Sequence, residues 1–212
     1  MPEEPDETPD SVFWTAITVE LGLGFVALIL GWLSGVDVRQ WIPRPESSQL
    51  GSIAGGLGLG LLAAVPMLIA IELIERIDWE PIRKLKSLED MPAISSLLTL
   101  KRRELITISV AAGIGEELLL RGWLMAWLLG PVDSATPLLM AFALLGSSVA
   151  FGAMHPITWT YSVIAGLMGV YFGALVLWTG NLLIPIVAHA AYDAVHLLLA
   201  KRQHMAEKQN AA

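Results

Sequence analysis

No Asp, Glu, Lys or Arg occurs between Asp133 and Asp193. A soluble domain cannot leave so long a stretch without charge, because roughly 25% of its residues are normally charged. In this chain only 16% are charged and 55% are hydrophobic. Mean hydropathy is +0.62. A globule of 212 residues has no interior large enough to hide that surface, so the excess faces lipid. One membrane helix takes about 20 apolar residues, so the uncharged stretch is too long for one helix or two. It breaks at His155-Pro156 and at Thr179-Gly180-Asn181, where proline and glycine punctuate the pattern. Three spans are predicted, over 136–155, 158–178 and 182–200.

Three more precede them, over 12–36, 51–73 and 105–129. The first is interrupted only by Glu20. The second contains the run GGLGLG, which suits close helix contact where lipid supplies no hydrophobic drive for association. The runs are continuously apolar and do not alternate, which predicts helices and not a β-barrel. The expected fold is therefore all-α, a polytopic transmembrane bundle of about six spans. Between the second and third spans, residues 75–104 are polar and amphipathic. Their middle either lies on the membrane surface or forms a solvated loop with one short helix. There is no internal repeat of the kind that marks transporters with inverted halves.

Formal net charge is −7, which excludes the basic face that a nucleic-acid binder needs. Much of the acidity lies in residues 1–10, which hold five carboxylates, three prolines and no base. Residues 1–11 are expected as a disordered acidic tail, 12–200 as the membrane domain and 201–212 as a cytoplasmic tail. The acidic segment lacks the positive n-region of a signal peptide, so the first apolar run is expected to remain as a span. There are no cysteines, hence no disulfide, thiolate ligand or thiol nucleophile.

A charge at bilayer depth is costly and needs a reason. Glu116, Glu117 and Arg121 lie near the middle of the third span, in GEELLLR. Glu117 and Arg121 are i,i+4 and can pair. Glu116 is rotated about 100° away and is free of that partner. A structural ion pair accounts for Glu117 and Arg121 but leaves Glu116 unexplained. His155 ends the fourth span in FGAMHP, with Phe151 one turn before it. In the last span His189, Asp193 and His196 form one stripe at i, i+4 and i+7. Asp193 can accept a hydrogen bond from the His189 ring and fix its tautomer. At the helical rise, Glu116 and His189 each lie about 16 Å from the membrane face where their spans meet 104 and 200. Equal depth suggests one shared cavity, with His155 nearer its mouth. Glu20, Glu72 and Glu75 receive no role.

Glu116-Glu117-x-x-x-Arg121, Phe151-x-x-x-His155 and His189-x-x-x-Asp193, in this order on separate predicted spans, resemble the CPBP family. These are the CAAX-protease and bacteriocin-processing (Abi) intramembrane endopeptidases. The resemblance covers about residues 105–200. It implies a peptidase in which Glu116 is the base for water, His155 its partner and His189 an oxyanion donor. Glu117 and Arg121 would be the supporting pair. Many members carry Asn at the position of Asp193; an ionised Asp cannot donate a hydrogen bond, so Asp193 either is protonated or orients His189. The preferred reading uses no cofactor; the alternative is a zinc site with Glu116, His155 and His189 as ligands. A further alternative is a non-catalytic membrane adaptor or immunity protein of the same fold. The implied partners are membrane lipid and a membrane-associated peptide or protein, either prenylated or a leader peptide. Short loops and the acidic segment point to a prokaryotic plasma membrane.

The connections predict the orientation. One side receives residues 75–104 and the C-terminal segment, with Arg76, Arg83, Lys84, Lys86, Lys101, Arg102, Arg103, Lys201, Arg202 and Lys208. The other receives only Arg39 and Arg44. The positive-inside rule then puts both termini in the cytoplasm. Reporter fusions at Gln209 and near Pro45 should report opposite sidedness; matching sidedness would refute the six-span topology.

Overall fold

The computed structural model describes residues 8–86, 88, 91–131 and 135–210. Most of the acidic segment, residues 1–7, and the boundary at Asp133 lie outside the described residues. Helix α1 runs from Pro9 to Ser34, so helix begins before the expected span. Thr8 caps it by accepting from the Ser11 backbone N–H, and Pro9 sits where the missing N–H is harmless. It stops at Gly35, whose φ of 72° is the left-handed conformation glycine adopts freely.

Helix α2 spans Leu50–Glu75. Two short helices follow, α3 (Glu80–Lys86) and α4 (Pro92–Thr99), where the sequence suggested one. Each plants an apolar anchor in the protein, Ile82 from α3 and Leu98 from α4. Helix α5 (Arg102–Glu117) continues through a π-helical stretch, Leu118–Met125, into α6 (Ala126–Leu129). Together they form the third predicted span. Helices α7 (Pro137–Ala153) and α8 (Trp159–Thr179) are capped by Thr136 and Thr158. Both breaks fall where proline and glycine were read. Helix α9 (Leu183–Asn210) runs past the expected span end into the basic segment. That extension is tied to α4, where Lys201 Nζ donates to the Leu98 carbonyl at 2.7 Å.

No strand occurs among the described residues. Helices α1, α2, α8 and α9 are long and apolar enough to cross a membrane, and α7 is apolar but shorter. The protein is an all-α membrane bundle. Its outer faces are apolar where a soluble protein would be charged. Trp14 and Trp32 stand exposed near the two ends of α1, and Trp159 and Trp178 near those of α8. Each pair is separated by about 27–28 Å at the helical rise, close to the thickness of a hydrocarbon core. Amphipathic indole rings favour the two interfaces of a bilayer.

Inside, α5 is the central post. It packs on α1 and on α9, α9 also packs on α2, and α7 pairs with α8. Small residues let these backbones approach. Within GGLGLG, Gly60 presses on α9, where a Cβ would sit 2.6 Å from Val187 Cβ. The tightest crossing joins α1 and α5: a Cβ on Gly115 would overlap the Glu20 carbonyl oxygen. Gly115→Ala should therefore destabilise the protein by about 1–3 kcal/mol, the usual cost of overpacking. Gly58→Ala, where nothing lies within 4 Å of the new methyl, should be neutral or slightly stabilising. Thermal unfolding of both variants in detergent checks the contrast, and equal stability would disprove the crossing.

Candidate active site

The buried charge cluster begins at the junction of α5 and the π stretch. Glu116 and Glu117 end the α-helical part, and Arg121 lies within the π part. Arg121 Nη1 donates to Glu117 Oε1 at 2.7 Å, and neither side chain is exposed at all. Nη2 donates to the Gly169 carbonyl of α8 at 2.9 Å. Gly169 permits this because a Cβ there would lie 3.0 Å from Ser148 Cα and 3.2 Å from Nη2. Phe151 and Phe172 cover the guanidinium, with its carbon 4.7 and 5.4 Å from their ring centres. These faces attract a cation while excluding water. The Arg121 Nε has no acceptor.

Glu117 Oε1 also meets His189 Nδ1 of α9 at 3.2 Å. The other ring nitrogen, Nε2, faces Asp193 Oδ2 at 3.3 Å. The His189 ring stacks on Phe172, 5.0 Å between centres and 16° between planes. His189 is thus fixed on both edges and one face. Each edge contact needs one proton, either on the ring nitrogen or on the facing carboxyl. The spacing of His189 and Asp193 was read correctly as one stripe, but His196 leaves the cluster. It stacks on Tyr192 and faces Glu75 at 3.8 Å.

Glu116 points away from Arg121, as its rotation required. Its Oε2 is buried without a hydrogen-bond partner and lies 4.0 Å from His155 Nε2. His155 Nδ1 is 2.8 Å from the Phe151 carbonyl. A carbonyl only accepts, so that bond places a proton on Nδ1 and turns Nε2 toward Glu116. Phe151 therefore serves twice, its ring against Arg121 and its carbonyl on His155. Ser162 donates to the His155 carbonyl at 2.8 Å and steadies the chain just past α7. The 4.0 Å gap exceeds a hydrogen bond and matches one bridging water.

All six residues singled out from the sequence converge here: Glu116, Glu117, Arg121, His155, His189 and Asp193. The three alternative zinc ligands lie in this cluster but do not face one common point. Among the described residues no group of three His, Asp or Glu side chains is arranged to hold a metal ion. His189 in particular turns both nitrogens to carboxylates other than Glu116. The sequence reading missed Glu20, which reaches the cluster from α1 and contacts Glu116. Its one available signal was an isolated carboxylate inside an apolar span.

Fold and cluster together define a polytopic helical membrane protein with an acid–histidine centre enclosed by its helices. Residues 100–195 match the family described as Type II CAAX prenyl endopeptidase Rce1-like. That segment, a little less than half of the chain, is similar to CAAX-type proteases. No curated protein and no solved structure matches the chain.

The pair at the centre is open to a direct check. Arg121→Ala leaves Glu117 buried without its counter-charge, a change that costs about 3–5 kcal/mol. Arg121→Lys loses the second hydrogen bond and the planar stacking, and should also destabilise. Accumulation and unfolding of both variants in detergent provide the measurement. A wild-type melting curve for Arg121→Ala would show that the pair is not structural support.

Proposed function

We propose that this chain is an intramembrane endopeptidase that cleaves a membrane-associated peptide with water activated by Glu116. The observation that supports it is the gap between Glu116 Oε2 and His155 Nε2, 4.0 Å wide and at the edge of the cluster. Water held there is hydrogen-bonded by both groups. Glu116 takes one proton as the water oxygen bonds to the scissile carbonyl carbon. The carbonyl oxygen becomes the oxyanion. When the C–N bond breaks, Glu116 passes the proton to the leaving amine and the carbonyl reforms. Base catalysis of this kind needs the carboxylate within hydrogen-bond reach of the water, directly opposite an acceptor or donor that fixes it.

His189 is the oxyanion donor in this reading. Glu117 and Asp193 hold its ring, and its Nε2–H exchanges Asp193 for the oxyanion as charge develops. Asp193 then orients His189 and does not itself donate, which resolves the absence of Asn there. Arg121 acts through Glu117, keeping the inner carboxylate in place. The substrate is a peptide presented at the bilayer, and the domain's family makes a prenylated CAAX-type peptide the first to test. The setting is a prokaryotic plasma membrane with both termini in the cytoplasm.

The deciding experiment uses purified chain in nanodiscs and an internally quenched farnesylated CAAX peptide. Glu116→Gln should lower kcat by about 10²–10⁴-fold while still binding the peptide, because the amide keeps the shape and loses the base. Activity should persist after exhaustive chelation. One zinc per chain, with activity lost and restored in step with it, would replace this mechanism by a metallopeptidase one.

A further inference from the structure

Glu20 lies on α1, outside the matched residues 100–195, and no step above uses it. A carboxyl group in an otherwise apolar span is costly, and its Oε2 is buried without a donor. The backbone around it explains how it reaches the site. At the α1–α5 crossing the Glu20 carbonyl oxygen rests against Gly115, and a Cβ on Gly24 would lie 3.4 Å from Gly115 Cα. Gly115 immediately precedes Glu116, so this crossing sets the two carboxyl groups side by side. The Glu20 carboxyl lies beside that of Glu116, and His189 and Asp193 of α9 are the other charged groups that it faces.

We propose that Glu20 is a positioning residue of the active site, donating a carboxyl hydrogen bond to Glu116 and holding it toward His155. The chemistry is set by the partners. Two carboxylates only accept, so a hydrogen bond between two carboxyl groups requires one proton between them. With Glu20 as the donor, one Glu116 oxygen is held on the α1 side. The other is left to face His155 across the water-sized gap. The base is then clamped from both sides, by Glu20 and by the water that His155 fixes. This role rests on the proposed part of Glu116 in hydrolysis, but the hydrogen bond itself does not.

Two readouts separate these layers. In the infrared spectrum of the full chain in nanodiscs, the wild type minus Glu20→Gln difference should contain the C=O stretch of a protonated carboxyl. The same difference for Glu80→Gln, an exposed control on α3, should not. Glu20→Gln is close in shape and offers an amide N–H to Glu116, so it should keep kcat on the farnesylated peptide near wild type. Glu20→Ala should lower kcat by about 10²-fold with KM unchanged, the effect of a misplaced catalytic group. No carboxyl band in the Glu20→Gln difference would overturn the hydrogen bond. Loss of kcat in folded Glu20→Gln equal to that of Glu116→Gln, or wild-type kcat in Glu20→Ala, would overturn the positioning role. The Gln variant keeps both tests decisive if Glu20→Ala fails to fold. If the wild type cleaves no peptide while the band is present, the proposed reaction fails and the carboxyl pair stands.

Discussion

The Arg121 guanidinium is the point on which the interior depends. Buried completely, it joins three helical elements: its own π stretch, α8 through the Gly169 carbonyl, and α7 through the face of Phe151. Through Glu117 it also fixes His189 of α9. A buried pair adds little net stability by itself, since desolvation offsets much of the attraction. Its effect is specificity. In lipid, apolar helices can slide past one another at small cost, whereas an arginine held by Glu117, the Gly169 carbonyl and two phenylalanine rings favours one register.

From that anchor the neighbouring glutamates divide their tasks by rotation alone. One residue of helix separates them, about 100°. Glu117 faces inward, takes Arg121 and His189 and is never exposed. Glu116 faces α1 and the end of α7, where Glu20 and His155 wait. The π stretch begins directly after them. A change of hydrogen-bond register at this place alters how Arg121 is aimed relative to a regular helix, and such insertions recur at functional sites.

Much of this was legible in the sequence because it is local. The i,i+4 spacing foretold the Glu117–Arg121 and His189–Asp193 pairs. The FxxxH spacing put Phe151 one turn below His155. Pro156 and Gly180 marked the breaks between the last spans. What was hidden is what depends on helices distant in the chain. Nothing in LLLRGWLM announces a π register. Glu20 looked isolated because Glu116 is far away in sequence, and the α1–α5 crossing at Glu20, Gly24 and Gly115 brings them together. Helix α9 outran its predicted end because the apolar count stops at the first lysine, while the Lys201 ammonium finds the Leu98 carbonyl and the helix continues.

The exposure of the cluster gives it a direction. Arg121 and Glu117 are fully enclosed, whereas the side chains of His155 and Asp193 are 23% and 27% exposed. His155 lies just beyond α7 and Asp193 one turn past His189. The Glu116–His155 gap lies nearer the surface than the Arg121–Glu117 pair. Side-chain exposure falls from His155 and Asp193, through Glu116 and His189, to Glu117 and Arg121, so the proposed water site lies outermost and the proposed support innermost.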